Sequence, residues 1–305
     1  MNVEMKLGFS WWNTSLSPSA KKNRSSPEQK MIAAQVIKTL LKNHSIDFLG
    51  LGEVSIQDIN YLKTDINNSC YGFIESIDEN NSVEFDLGII YNREKLKLIK
   101  NKSLINSYGN RNIKIALEAD FQVALNEAPL YIFVSHWPSR MYYHEGQAIR
   151  DGFAMRLSGE IEEIQRRHSG QASIVLMGDY NDEPFDKPLS GHLRATRDRR
   201  LVRQSTNYLY NPFWRLLGEK DAHVPNKKIK TFAGTYYYSS GIETKWNTFD
   251  QIIFSSACLH GLPWHLDEEK CMVLDMPPLD LLLMDRKSIF DHFPIQSILE
   301  SNIKE

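Results

Sequence analysis

The sequence predicts one α/β domain built on two sheets. Three observations carry that expectation. Segments that read as strands far outnumber those that read as helices, and the helices are interspersed among them. No internal repeat, low-complexity run or linker divides the 305 residues, a length that suits one large domain or two ordinary ones. Apolar content of 42% with 24% charged residues belongs to a globular chain and excludes intrinsic disorder.

The first strand is expected over residues 7–13 (LGFSWWN), with Asn13 at its C-terminal end. A polar loop follows. Ser26 then caps a helix, Pro27 suits its first position, and Gln29 completes a capping box. Ala33, Val36, Ile37, Leu40 and Leu41 share one helical face. Residues 47–54 (DFLGLGEV) form a second strand ending in an acid, and further strands are expected at 86–91, 113–125 and 130–134. A helix fits 145–167, with Ile149, Phe153, Leu157, Ile161 and Ile164 on one face. Residues 207–217 read as a short helix, 231–238 and 246–255 as strands, and 262–287 as an irregular segment rich in Pro and Leu.

The stretch 174–184 (IVLMGDYNDEP) organises the rest. Four apolar residues read as a buried strand, and Gly178 ends it with a backbone that turns freely. Asp179 and Asn181, two apart on an extended segment, point the same way. Asp182 and Glu183 read as turn and rim. Taken alone, these are ordinary turn residues. The pattern recurs, however. A metal-capable or proton-transferring residue stands at a strand end at Asn13, Glu53, His136, Asp179 with Asn181, Asp250, and Asp291 with His292. Six such ends exceed what turn chemistry explains.

Composition bounds the function classes. A formal net charge of −2 gives no whole-chain basic character, so any nucleic-acid binding must come from local patches. Cys70, Cys258 and Cys271 are far apart and odd in number, which fits neither a disulfide framework nor a metal-ligand spacing. No signal peptide and no apolar run of about 20 residues is visible. A soluble cytoplasmic protein with no membrane association is the expectation.

In order along the chain, SWWN at 10–13, LGLGEV at 49–54, VSHWPSR at 134–140, VLMGDYNDEP at 175–184, WNTFDQIIFS at 246–255 and IFDHFPI at 289–295 resemble the endonuclease/exonuclease/phosphatase (DNase I-like) superfamily of metal-dependent phosphohydrolases. The resemblance spans nearly the whole chain, 1–305, as a single domain. It implies a four-layer α/β/β/α sandwich of two packed mixed, mostly antiparallel sheets, with the site in a cleft at one edge. It further implies Glu53 as principal ligand of Mg²⁺ (or Mn²⁺), beside Asn13 and Asp291. Asp179 would position or deprotonate the attacking water and Asn181 would hold a phosphate oxygen. His292, oriented by Asp250, would contact the scissile phosphate, with His136 as a second phosphate-facing histidine. The chemistry asks for these types independently. Phosphodiester hydrolysis builds negative charge, which Mg²⁺ on hard oxygens and preorganised Asn and His donors stabilise. Two departures stand out: Gly52, where many members carry Gln, and Tyr180, where Phe is common. The carboxylate partner of His136 stays open among Glu84, Asp86 and Glu118.

The substrate is less legible. Basic clusters occur at 21–24, 194–203 and 226–230, and Arg111 and Arg140 stand near strand ends; such residues can track a nucleic-acid backbone. Trp137, with Trp11, Trp12, Tyr142, Tyr143 and residues 236–238, offers rings for stacking unpaired bases or for the core. The leading expectation is therefore a Mg²⁺-dependent nuclease with nucleic acid as its partner. The alternatives are a phosphatase or sphingomyelinase-like lipid phosphodiesterase on the same site, and a non-catalytic binding protein of the same fold. The run 279–284 (LDLLLM) is the one apolar loop a lipid enzyme would need, and a core strand or helix turn explains it better.

Overall fold

The first strand, β1 (Val3–Asn13), sends Leu7, Phe9 and Trp11 to one side and Trp12 to the other, the period-2 alternation of a strand between two apolar layers. That alternation recurs through the computed structural model, which describes residues 3–18, 24–78, 83–108, 111–140, 147–218, 225, 233–260 and 263–303. After β1 follow α1 (Pro27–Asn43), β2 (Ile46–Gly52), α2 (Ile56–Ile66) and β3 (Tyr71–Asp78). Next are β4 (Val83–Asn92), β5 (Leu96–Tyr108), β6 (Arg111–Val123), β7 (Pro129–His136) and α3 (Gln147–Arg167). Then come β8 (Ser173–Asp179), β9 (Ala195–Thr196), α4 (Arg199–Gln204), β10 (Leu209–Tyr210), β11 (Tyr236–Tyr237) and β12 (Trp246–Asn247). The chain closes with β13 (Asp250–Ser255), β14 (His265–Val273), α5 (Leu279–Leu282) and β15 (Ile295–Ile303).

One sheet has the order β14-β15-β1-β2-β4-β3, the other β5-β6-β7-β8-β13-β10-β9. Most neighbours are antiparallel; β1–β2, β7–β8 and β9–β10 are parallel. The sheets meet across an apolar layer containing Phe9, Trp11, Phe48, Val134, Met177, Ile252 and Phe254. Helices α1 and α2 pack Ile37, Leu40, Ile59 and Leu62 against Trp12, Leu49 and Leu51 on the outer face of the first sheet. Helix α3 packs Phe153, Leu157 and Ile164 against Phe133, Leu176 and Ile253 on the outer face of the second. Each fully buried side chain of this kind contributes about 1.5–3 kcal/mol. The result is the expected four-layer sandwich.

The sequence signals at α1 hold in detail. Ser26 Oγ accepts from the Gln29 amide at 3.2 Å and Gln29 Oε1 accepts from the Ser26 amide at 2.8 Å. Other expectations are corrected. Residues 207–217 contain a two-residue strand and a 3₁₀ turn, Pro212–Leu216, because Asn211 caps a single turn and Pro212 starts it. Of 231–238, only Tyr236–Tyr237 pairs as a strand within the described residues. The irregular 262–287 holds β14 and the short α5, where Leu279 and Leu283 are buried. Gly178 lies inside β8 and makes no turn. Its need for glycine is close approach, since a Cβ there would stand 2.0 Å from the Ser135 carbonyl oxygen. Among the described residues, no helix is long and apolar enough to cross a membrane.

Candidate active site

Register alone brings the polar strand ends together. In the second sheet, His136 pairs with Asp179 across β7–β8, and Asp250 pairs with Asp179 across β13–β8. Three side chains from three adjacent strands thus form one row. In the first sheet, Asn13 pairs with Gly52 and Gly52 with Leu87. That places Asn13, Glu53 and Asp86 in a second row at the same edge, joined by Asp291 and His292 just before β15.

The two rows interlock through two carboxylate–histidine pairs. Asp250 Oδ2 lies 2.7 Å from His292 Nδ1, and Asp86 Oδ2 lies 2.9 Å from His136 Nδ1. The open choice of partner for His136 is thereby settled on Asp86. Glu118 is engaged by Lys102 instead. Each pair fixes its ring and leaves Nε2 facing the cleft. Both Nε2 atoms converge on one oxygen: Asp179 Oδ2 is 3.9 Å from His136 and 3.7 Å from His292. The same oxygen accepts from Asn13 Nδ2 at 3.2 Å, and Asp179 Oδ1 accepts from the Asn181 amide at 2.9 Å. Glu53 Oε1 stands 3.9 Å from His136 Nε2, and Asp291 Oδ1 stands 3.9 Å from His292 Nε2.

Several residues take supporting roles that the sequence did not assign to them. Trp11 Nε1 reaches across the sheets to donate to Asp250 Oδ1 at 2.7 Å, and Thr235 Oγ1 donates to Asp250 Oδ2 at 2.6 Å. This explains Gly52: a Cβ there would stand 2.7 Å from the Trp11 indole. Ser15 Oγ donates to Asp291 Oδ1 at 2.6 Å, and the Lys114 ammonium pairs with Asp86 Oδ1. Only distance from Asn13 hints at Ser15, and nothing in the sequence separates Lys114 from a surface lysine on a strand. Three residues of the site hold the left-handed backbone, Ser15 at φ 55°, Glu53 at φ 53° and Asn181 at φ 51°. Asn tolerates that conformation, whereas Glu does so at a cost of about 1–3 kcal/mol, a strain that functional positions commonly carry.

The electrostatics follow from burial and proximity. Burial pulls the His136 imidazole down, but the charge of Asp86 and its hydrogen bond, with Asp179 and Glu53, lift it to about 9. Burial likewise opposes His292, and Asp250, Asp291 and Asp179 lift it to about 10. Burial pushes Asp179 up, reinforced by Asp250, and burial with the Asp291 charge raises Glu53.

Asp179, Asp250 and His292 place three ligand-capable atoms within 4.8 Å of one another. Both Asp250 oxygens are already committed to Trp11, Thr235 and His292, so Asp250 positions the histidine and leaves ligation to others. Glu53, Asp291 and Asn13 offer the hard oxygens a divalent cation requires. No hydrogen bond reaches the Glu53 carboxylate among the described residues. Glu53, Asp86, Asp179, Asp250 and Asp291 crowd one end of the cleft around two histidines and Lys114, an acid-rich setting that a divalent cation would offset. The residues present fit such an ion.

The remaining expectations fare differently. Trp137 is corrected as a substrate contact. It is 0% exposed, donates Nε1–H to the Ile115 carbonyl, and packs edge-on against Phe153 and Tyr180, so no ring face is open. Asn181 donates Nδ2–H to the Trp137 carbonyl at 2.8 Å. Arg140 borders the cleft, where its Nε donates to the Asn181 carbonyl and its guanidinium pairs with Asp182 and Asp186. Asp182 is corrected from rim to interior: it is 2% exposed and also pairs with Arg150. Glu183 accepts from the Thr248 amide. The Arg111 side chain, Tyr142, Tyr143 and residues 226–230 lie outside the described residues. Of the basic cluster 21–24, only Arg24 is described, and it donates to backbone carbonyls of Ser15 and Ile289.

Comparison with known proteins bears on the fold and the family. No curated protein sequence matches. A structure of an endonuclease/exonuclease/phosphatase family protein from Bacteroides thetaiotaomicron superposes with a TM-score of 0.64 at 15% identity, covering 99% of this chain and 100% of that one. A humanized D. rerio TDP2 gives 0.59 at 19% identity, covering 96% and 98%. A mannosyl-6-phosphatase from B. thetaiotaomicron gives 0.62 at 15% identity, covering 96% and 99%. These likenesses show a shared fold. A sequence model of the family itself matches residues 14–276, a span that takes in Glu53, both carboxylate–histidine pairs' acids, His136 and Asp179, so the chain belongs to the endonuclease/exonuclease/phosphatase family.

Proposed function

We propose that the protein is a Mg²⁺-dependent nuclease that hydrolyses phosphodiester bonds of DNA or RNA. Its family hydrolyses phosphoester bonds. The observation that carries the reading is the convergence of two carboxylate-held histidine Nε2 atoms on Asp179 Oδ2, beside Glu53. Asp86 and Asp250 push the two imidazoles up, to about 9 and about 10, which favours their protonated forms at neutral pH. They therefore act as donors to the phosphoryl oxygens, and His292 can protonate the leaving oxygen. The base is then Asp179, whose burial makes its carboxylate more proton-hungry than an exposed one. Asn13 and the Asn181 amide hold that carboxylate in place to take a proton from the attacking water. Glu53, Asn13 and Asp291 would hold Mg²⁺, which when bound offsets the charge building on phosphorus. Arg140, at the cleft border, would contact the substrate backbone.

A second reading, a phosphatase or small-phosphoester hydrolase on the same residues, is favoured by one observation. Beside Asn181 lies an open pocket of about 540 Å³, a size typical of small-ligand sites. The two readings separate in a panel of labelled single- and double-stranded oligonucleotides, sugar phosphates and sphingomyelin, each with Mg²⁺ and with chelator. Chelator-sensitive oligonucleotide cleavage is the expected result. Turnover of sugar phosphates or lipid alone would overturn the nuclease reading and leave the phosphoesterase assignment standing.

A further inference from the structure

The basic cluster at 194–203 divides into two sets. Arg194 pairs with Glu162, and Arg199 pairs with Glu268. Arg197, Arg200 and Arg203 are exposed and have no acid partner among the described residues. The acid between them is committed to α4: Asp198 Oδ1 accepts from the Leu201 amide at 3.0 Å. Arg200 and Arg203 stand one turn apart on one face of that helix, while Val202 enters the core. Arg197 holds its guanidinium 5.2 Å from the centre of the Trp214 ring, and Phe185 meets the same ring edge-on at 6.2 Å. Phe185 is 53% exposed, although a ring that served only the fold would be covered. This face is fixed to the catalytic edge. Phe185 follows Asn181 by four residues, a reach of at most about 14 Å, and Asp186 Oδ2 pins its turn by accepting from the Glu183 amide at 2.7 Å. Thr248 Oγ1 donates to the Leu216 carbonyl at 3.3 Å, tying the turn that carries Trp214 to the start of β13.

We infer that Phe185, Arg197, Arg200 and Arg203 form a docking surface for a single strand of nucleic acid outside the cleft, which, resting on the nuclease reading, holds the substrate away from the bond that is cut. Three unpaired like charges on one face repel each other, and a polyanion relieves that repulsion. Arginines match phosphate oxygens with a planar fork of donors, and each phosphate they neutralise releases counterions. The open Phe185 ring offers a flat face to an unpaired base, which a duplex keeps inside its stack. The stacked Arg197–Trp214 pair holds one cation in place between that ring and α4. An acidic polypeptide would satisfy the arginines and leave Phe185 without a stacking partner.

The test compares kcat/KM for a long single-stranded oligonucleotide, of about 20 nucleotides, with that for a short one of about four, at low salt. Wild type should favour the long substrate by about tenfold or more. The triple variant Arg197→Ala, Arg200→Ala, Arg203→Ala should lose that preference while cutting the short substrate at the wild-type rate. Phe185→Ala should lose part of it, and Phe185→Tyr should keep it. A wild-type ratio near one, an unchanged ratio in the triple variant or in Phe185→Ala, or an equal loss on both lengths overturns the surface and spares the nuclease reading. If neither substrate is cut, the nuclease reading fails, and fluorescence anisotropy of the labelled long oligonucleotide in chelator decides the surface. A slope of log Kd against log salt smaller by about 2 in the triple variant, at about 0.7 per phosphate contact, supports it, and an equal slope overturns it. A polyglutamate peptide of equal charge that binds as tightly as the oligonucleotide overturns nucleic acid as the occupant.

Discussion

Glu53 stands in a left-handed backbone at the end of β2, with its carboxylate free of hydrogen bonds among the described residues. It was legible because it is one of six polar strand ends; alone, an acid there is more often simply solvated. Its partners were less so. Spacing could not choose among Glu84, Asp86 and Glu118 for His136, because the choice depends on the register that sets Leu87 opposite Gly52. Trp137 was misplaced for a related reason: its neighbours in the motif reach the cleft, but alternation along the chain turns its indole into the core. Two outcomes test these assignments. Glu53→Ala should lower apparent Mg²⁺ affinity by about tenfold or more, with activity partly restored at high Mg²⁺. Wild-type behaviour at low Mg²⁺ would place the ion elsewhere. Trp137→Ala should cost about 3–5 kcal/mol in urea unfolding, as the loss of a buried aromatic does. A stable variant with a raised KM would restore the substrate-contact reading.

At the scale of elements, what the sequence showed depended on how regular each signal was. Helix α1 carries a full Ser-Pro-x-Gln signature and was read from it. Helix α2 closes the same box with Asp58 in place of Glu or Gln. Ser55 Oγ accepts from the Asp58 amide at 3.2 Å, and Asp58 Oδ2 accepts from the Ser55 amide at 2.9 Å. The short acid also takes Ser17 Oγ at 2.8 Å and Lys30 Nζ at 2.7 Å, so it ties α2 to α1 and to the loop after Asn13. Ser55→Ala should therefore destabilise the protein by about 0.5–2 kcal/mol in urea unfolding, and no loss would show that tertiary packing alone holds α2. Strand β14 escaped notice because its residues, HLDEEKCMV, lack apolar alternation. It is an edge strand with a register shift between Asp267 and Met272, where charged side chains are normal.

Across the whole molecule, the two-sheet architecture was legible because apolar strand segments outnumber helices, and the site was legible because its residues sit at strand ends on one edge. Sheet order was not, since β14 to β3 and β5 to β9 are assembled by pairings between distant segments. The two sheets also share an electrostatic bond at the cleft: Asp86–His136 and Asp250–His292 each join one sheet to the other. Both histidines sit above the ordinary value of 6.5, at about 9 and about 10. The folded state therefore holds their protons more tightly than the unfolded chain. That stabilisation is complete below about pH 6.5 and is lost as pH rises through 9 to 10. The melting temperature of metal-free protein should fall across that window, and Asp250→Asn should flatten the fall. An identical slope in the variant would contradict the His292 assignment.

In the proposed mechanism, the assignment on which the rest depends is Asp179 as the group that activates water for metal-assisted phosphodiester hydrolysis. It is tested most directly by single-turnover cleavage of a labelled oligonucleotide by wild type and Asp179→Asn at saturating Mg²⁺. The rate should fall by about 10²–10⁴-fold in the variant, with the melting temperature retained and wild-type cleavage abolished by chelator. A variant that cuts at the wild-type rate, or a wild type indifferent to chelator, would contradict it.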